Sequence, residues 1–305
     1  MSQTATIIKK PKKEKLKKTN WFFVVLLTLL TIYAVVMVGI LVWAFLTSLK
    51  TYPMFRKNCF GLPSGWPWEW NWAAYVDAFE HFKVSKGSGK GDAYLAEMFA
   101  YSLIYAIGCA FTSTFVPMLT AYTTSKFDLK FSKIIYSTVI VTMAIPIIGA
   151  LPAQIQMSKN LGIFNTMHGA WIRQGSFLGM YYLVFFAYFK SVAKEYTEAA
   201  CVDGAGEFRI FFKIIFPIAR NMFLTVMLIK FIGYWNDYQT PLIFLRSYPP
   251  VAVGLYRYAL SADNATSWPT MKVTGSILMA VPTLILFMFF HDKIIGNITI
   301  GGVKE

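Results

Sequence analysis

The sequence predicts an all-α integral membrane protein with six transmembrane helices and both termini in the cytoplasm. Of its 305 residues, 56% are hydrophobic and only 14% charged. Apolar runs long enough for a helix to cross a hydrocarbon core, about 20 residues, recur along the chain. Lysine and arginine are unevenly shared between the segments that join those runs. Few soluble domains could hide so much apolar surface.

The elements follow in order. Residues 1–20 hold seven of the lysines behind a net charge of +14. A polybasic tail directly before an apolar segment fits a cytoplasmic anchor beside anionic lipids, with no nucleic acid as partner. The charge-free run 21–49 is too long for the apolar part of a cleaved signal peptide and reads as the first span. Residues 50–97 form an extracytoplasmic loop, in which "GLPSGWPWEWNW" joins turn residues to tryptophans suited to a membrane interface. "WAAYVDAFEHF" has the apolar spacing of a short surface helix. A five-helix core occupies 98–295, with spans at 98–125, 134–158, 174–189 (its helix starting nearer His168), 222–245 and 273–290, and 296–305 form a cytoplasmic tail. With the N-terminus inside, the inner segments carry 17 basic residues against 11 in the outer ones.

Enzymatic readings fail on spacing. "GSGKGD" at Gly87 has Gly91 where a phosphate loop needs Ser or Thr and Val84 where it needs its first glycine, so it reads as a loop. Cys59, Cys109 and Cys201 fall in separate regions without metal-ligand spacing, His81, His168 and His291 form no zinc motif, and no GxSxG elbow occurs. Pro117, Pro146, Pro152 and Pro282 lie inside spans, where each frees a carbonyl and marks a kink, a cavity wall or ordinary packing.

The most specific passage is polar. "EYTEAACVDGAGEFRIFFKIIFP", from Glu195 within the loop 191–217, carries four acidic and two basic residues between two apolar segments. Glu198 to Val202 can form an exposed turn of helix whose small Ala199 and Ala200 let a partner surface come close. Gly204 ends or bends that helix, and Phe208, Phe211, Phe212, Ile214 and Ile215 fasten the next stretch back onto the spans. Pro217 sets the start of the fifth span. Such a loop is built to dock another protein.

Glu198, Ala199, Ala200, Gly204, Ile214, Phe216 and Pro217 match the EAA motif of ABC importer permeases: EAA, three residues, G, nine residues, I, one residue, LP. Only Phe216 departs, where leucine is usual. "LTAYTTSKFDLKF", "LGIFNTMHGAWI", "FIGYWNDYQTPLIFL" and the terminal "GNITIGGVKE" extend the likeness over residues 95–305, and the chain resembles the MalG-type carbohydrate permeases. The resemblance implies the type I ABC importer permease fold in a bacterial cytoplasmic membrane, and a transport subunit rather than an enzyme. It also implies a MalF-like second permease, an extracytoplasmic solute-binding protein, a mono- or oligosaccharide substrate, and two cytoplasmic ATPase subunits. Those subunits would bind ATP and Mg, leaving this chain without a cofactor. ATPase coupling would fall to Glu198, Ala199, Ala200, Asp203, Gly204 and Pro217, with Glu198 as charged contact and Gly204 as hinge or helix end. The tail residues Gly301, Gly302, Val303, Lys304 and Glu305 would make a second ATPase contact.

Lys230 and Asp237 stand seven residues apart in the fifth span, hence near one helix face and about 10 Å apart along its axis. Charges at that depth face a bundle interior or a watery cavity. "FIGYWND" fits the family, but Lys230 stands where a small or apolar residue is expected. It either pairs with a carboxylate of the partner permease or meets an acidic sugar. Gln154, Trp235, Asn236 and Tyr238 join these two as candidate pathway residues, because sugars are held by aromatic faces and hydrogen-bonding side chains.

Overall fold

The computed structural model describes residues 21–87, 89, 91–127, 130–145, 149–260 and 268–298. In chain order these form α1 (Trp21–Ser48), α2 (Tyr52–Lys57), a 3-10 turn (Pro67–Glu69), α3 (Ala73–His81), β1 (Lys83–Ser85) and β2 (Asp92–Tyr94). Then come α4 (Leu95–Lys126), α5 (Lys130–Ala144), α6 (Leu151–Asn160), α7 (Met167–Gln174), α8 (Met180–Ser191) and α9 (Glu195–Val202). The last are α10 (Glu207–Ile210), a π-helical turn (Phe211–Ile215), α11 (Phe216–Asn236), α12 (Gln239–Phe244), α13 (Val251–Leu260) and α14 (Pro269–Ile298).

Three helices, Trp21–Ser48, Leu95–Lys126 and Glu207–Asn236, are long and apolar enough to cross a membrane among the described residues. The first two lie within a few residues of the expected spans. The other runs differ in instructive ways. The run 134–158 is divided: α5 ends at Ala144, Gly149 takes a φ of 79°, and Pro152 sits in the first turn of α6, while Pro146 lies outside the described residues. The fourth starts at Met167, as the displaced start suggested, but stops at Gln174 and resumes only after Gly179, whose φ of 133° suits glycine alone. The fifth begins earlier than expected, since α10, the π turn and α11 form one helix from Glu207, and it ends at Asn236 rather than at 245. The sixth is longer, from Pro269 to Ile298.

The expected surface helix is α3, with Ala74 and Ala78 buried. The glycine-rich loop proves to be the turn of an antiparallel hairpin, pairing Lys83 with Tyr94, Val84 with Ala93 and Ser85 with Asp92. Its Gly87, Gly89 and Gly91 all have positive φ. Strands of three residues are too short to display an alternation that sequence could reveal.

α4 is the central post, against which α7, α8, α11 and α13 pack. α1 touches chiefly α14 and leaves most of its apolar surface exposed. A helix apolar on all sides calls for an apolar surrounding, the bilayer. The α4–α7 contact shows how close the approach is. Trp171 Nε1 donates to the carbonyl of Ile104 at 3.2 Å, and a Cβ at Gly108 would lie 2.1 Å from that nitrogen. Gly108→Val is expected to force the two helices apart at a cost of about 1–3 kcal/mol. A thermal melt in detergent should show a lowered midpoint for it, and no lowering for Gly39→Ala, around which nothing lies within 4 Å.

Candidate functional site

The acidic loop is shaped by its first helix, α9. Glu195 and Glu198 occupy the first turn, where negative charge suits the helix dipole. The helix closes on Gly204, at φ 75°. The N–H groups of Asp203, Gly204 and Ala205 donate to the carbonyls of Ala199, Cys201 and Ala200 at 3.1, 3.0 and 3.0 Å, which satisfies the last turn. Glu198, Ala199 and Asp203 stand exposed, whereas Ala200 is buried against the chain's own core. The alanine pair is therefore split, with Ala199 alone on the open face. Pro217 lies in the first turn of α11.

The root of the loop is aromatic. Phe211 lies 5.0 Å, ring centre to ring centre, from Tyr122 of α4, and Tyr122 lies 5.6 Å from Phe189 of α8. Phe211 and Ile215 join Met118, Val139, Tyr182 and Phe223 in one buried cluster. Phe208 and Phe212 do not share in it. They are 83% and 53% exposed, and Ile210 takes the inward position instead. The four-residue stripe Phe211, Ile215, Ala219, Phe223, all buried, is the signal that separates inward from outward aromatics here. Val202, one helical turn past Glu198, and Tyr196 are exposed as well, so exposed apolar side chains stand on this helix beside the charged ones. At the loop's start, Lys126 Nζ donates to the carbonyl of Val192 at 2.6 Å, binding the end of α4 to it.

Most of the second group of candidates lies along the last turns of α11 and just beyond its end. Lys230 and Asp237 have separate surroundings. Lys230 is half-buried, with Nζ 4.6 Å from the ring centre of Tyr181 in α8. Asp237 follows the end of α11: Oδ2 accepts from the Tyr105 hydroxyl at 3.0 Å and Oδ1 from the Thr240 N–H at 3.1 Å, which caps α12. Arg173 lies over the Phe244 ring, 3.6 Å from its centre. Its Nη2 is buried without a hydrogen bond. The Tyr234 hydroxyl donates to Gln174 Oε1 at 3.2 Å. Trp235 is buried and donates to the carbonyl of Met279 at 3.0 Å, so it joins α11 to α14. Tyr238 stacks on Tyr256 at 4.5 Å, while Asn236 and Gln154 are exposed. Sequence reading passed over Tyr105, Gln174, Tyr181 and Tyr234. Two of them flank the glycine-bounded stretch 175–179, which is the clue that was available.

Residues 113–300, which include the whole acidic loop and all three helix breaks, match the family described as binding-protein-dependent transport system inner membrane component. The chain belongs to this family. The permease is 30% identical over 213 residues to the maltodextrin transport system permease protein MalD of Streptococcus pneumoniae, covering 67% of this chain and 73% of that one. It is 23% identical over 276 residues to the diacetylchitobiose uptake system permease protein NgcG of Streptomyces coelicolor, covering 90% and 86%. In fold it is similar, with a TM-score of 0.70 and 22% identity over 88% of this chain and 95% of the other, to a chain in the crystal structure of a bacterial ABC transporter involved in the import of the acidic polysaccharide alginate. The permease is thus a membrane transport subunit. Gly301 to Glu305, the expected second contact, lie outside the described residues.

Asp237 ties α4 to the start of α12, and the two halves of that tie are separable. Tyr105→Phe removes one hydrogen bond and is expected to destabilise the permease by about 1 kcal/mol. Asp237→Ala loses the cap too and should lower the unfolding midpoint further, as measured on the purified chain.

Proposed function

We propose that the permease is the MalG-like half of an ATP-driven carbohydrate importer, crossing a bacterial cytoplasmic membrane six times with both termini inside. Its partners are a MalF-like permease, two ATPase subunits that bind ATP and magnesium, and an extracytoplasmic solute-binding protein. One observation carries this reading. Glu198 and Ala199 are presented on a short helix closed at Gly204, with exposed apolar side chains on the same loop, while that loop is rooted through Phe211 in the core that joins α4, α8 and α11.

That arrangement converts a push into a shift of spans. Exposed apolar side chains on a charged loop favour contact with another protein. A close-packed root does not yield independently of what it is packed on, so a displacement of α9 passes to α4 and α11. The chain carries no phosphate loop of its own, and the energy therefore comes from the ATPase pair, which biases two states of differing substrate affinity. Relatives named for maltodextrin and diacetylchitobiose uptake support a carbohydrate as the substrate class. A secondary transporter would have no use for the loop.

The decisive comparison uses the whole complex in liposomes. Gly204→Asp places a side chain on a left-handed backbone and a charge at the closed end of α9. It is expected to assemble, to keep hydrolysing ATP, and to lose about tenfold or more of its uptake. Glu198→Lys should weaken retention of the ATPase on purification. Full uptake by a normally assembled Gly204→Asp complex would contradict the coupling role, and solute movement down an ion gradient without any ATPase would overturn the importer reading.

A further inference from the structure

We propose that Lys230, together with the break between α7 and α8, forms a binding site for the anionic group of an acidic saccharide, so that this subunit itself reads substrate charge. The inference rests on the importer reading above and narrows its substrate class.

A half-buried ammonium on a membrane-spanning helix needs an anion or water to face. Among the described residues the ion pairs are Lys83 with Asp92 within the hairpin and Lys86 of the hairpin with Glu97 of α4, and no carboxylate meets Lys230. What Lys230 has is the ring of Tyr181 at 4.6 Å. The ring's negative face holds the ammonium in place but does not neutralise it, and an ammonium has three donors to offer. One helical turn further along α11, Tyr234 lies on the same face and reaches Gln174 at 3.2 Å.

These two contacts straddle the break. Gln174 is the last residue of α7 and Tyr181 lies in the first turn of α8, so α11 touches the chain on both sides of 175–179. Backbone that leaves a helix at membrane depth is tolerated where it is buried in protein or lines a watery cavity. Ser176 within the break is exposed. The Lys230 amine and the Tyr234–Gln174 pair thus lie along one face of α11, and α11 and α8 both rest on α4. A carboxylate from the partner permease would need the amine alone. A saccharide that carries a carboxylate beside its hydroxyls uses all of them.

The test takes the complete importer in liposomes and reads ATP hydrolysis with a uronic-acid trisaccharide and with the same trisaccharide after reduction of its carboxylates to neutral alcohols. The wild type should prefer the anionic form. Lys230→Met is expected to reduce that preference about tenfold, and Lys230→Arg to keep it. A wild type driven equally by both sugars, or driven by the neutral one alone, overturns the inference and leaves the importer reading standing. So does a preference unchanged in Lys230→Met. Loss of the partner permease from the purified Lys230→Met complex would instead identify an ion pair between subunits and overturn it as well. Failure of either sugar to stimulate, in a complex that recruits no ATPase, removes both readings together.

Discussion

In a hydrocarbon core each backbone N–H and C=O must find its partner within the protein, and the architecture of this permease depends on that requirement. It makes long helices the default and gives every interruption a meaning. The stretches around Gly149, Gly179 and Asp237 leave the helical path, and each carries its own compensation. Asp237 caps the following helix, Pro152 starts α6 without needing a partner for its missing N–H, and Gly179 supplies a conformation that side chains forbid. Polar side chains gather at two of these places because freed backbone and hydroxyl, amide or guanidinium groups share the same need.

The same logic explains why α4 has to be the central post. It is uninterrupted for 32 residues, and the broken elements α7 and α8 and the long helix ending in α11 lean on it. Small residues, Gly108 among them, let its neighbours approach closely, and its C-terminal end meets the aromatic root of the acidic loop. One rigid element thus runs from the Tyr105–Asp237 contact to the core beneath the exposed helix α9. Side chains in such a packed interior relocate as a group or not at all, which is the property a relay between two ends of a molecule requires.

Much of this was legible in the sequence, and what was not has physical causes. The first two spans are free of charge over most of their length and could be read directly. The acidic loop was legible because Glu198, Gly204 and Pro217 stand at the intervals of the EAA motif that the chain resembles. The direction of its aromatics was not, because Phe208 and Phe212 differ from Phe211 by position on a helix face and not by residue type. The breaks were hidden for another reason: a proline in an apolar run also occurs in helices that stay whole. Pairings such as Tyr105 with Asp237 join residues 132 positions apart. No local pattern announces a contact of that range.

The isolation of α1 has a consequence for how the protein is made. A helix that leans chiefly on α14, more than 200 residues further along the chain, must wait for that helix to be made before it meets its main partner. Its place in the bilayer then rests on the partition of its own side chains between water and lipid. Such a segment can drift in sequence with little penalty provided it stays oily. The crowded faces of α4 have no such freedom, so α1 is the helix least bound to any particular wording.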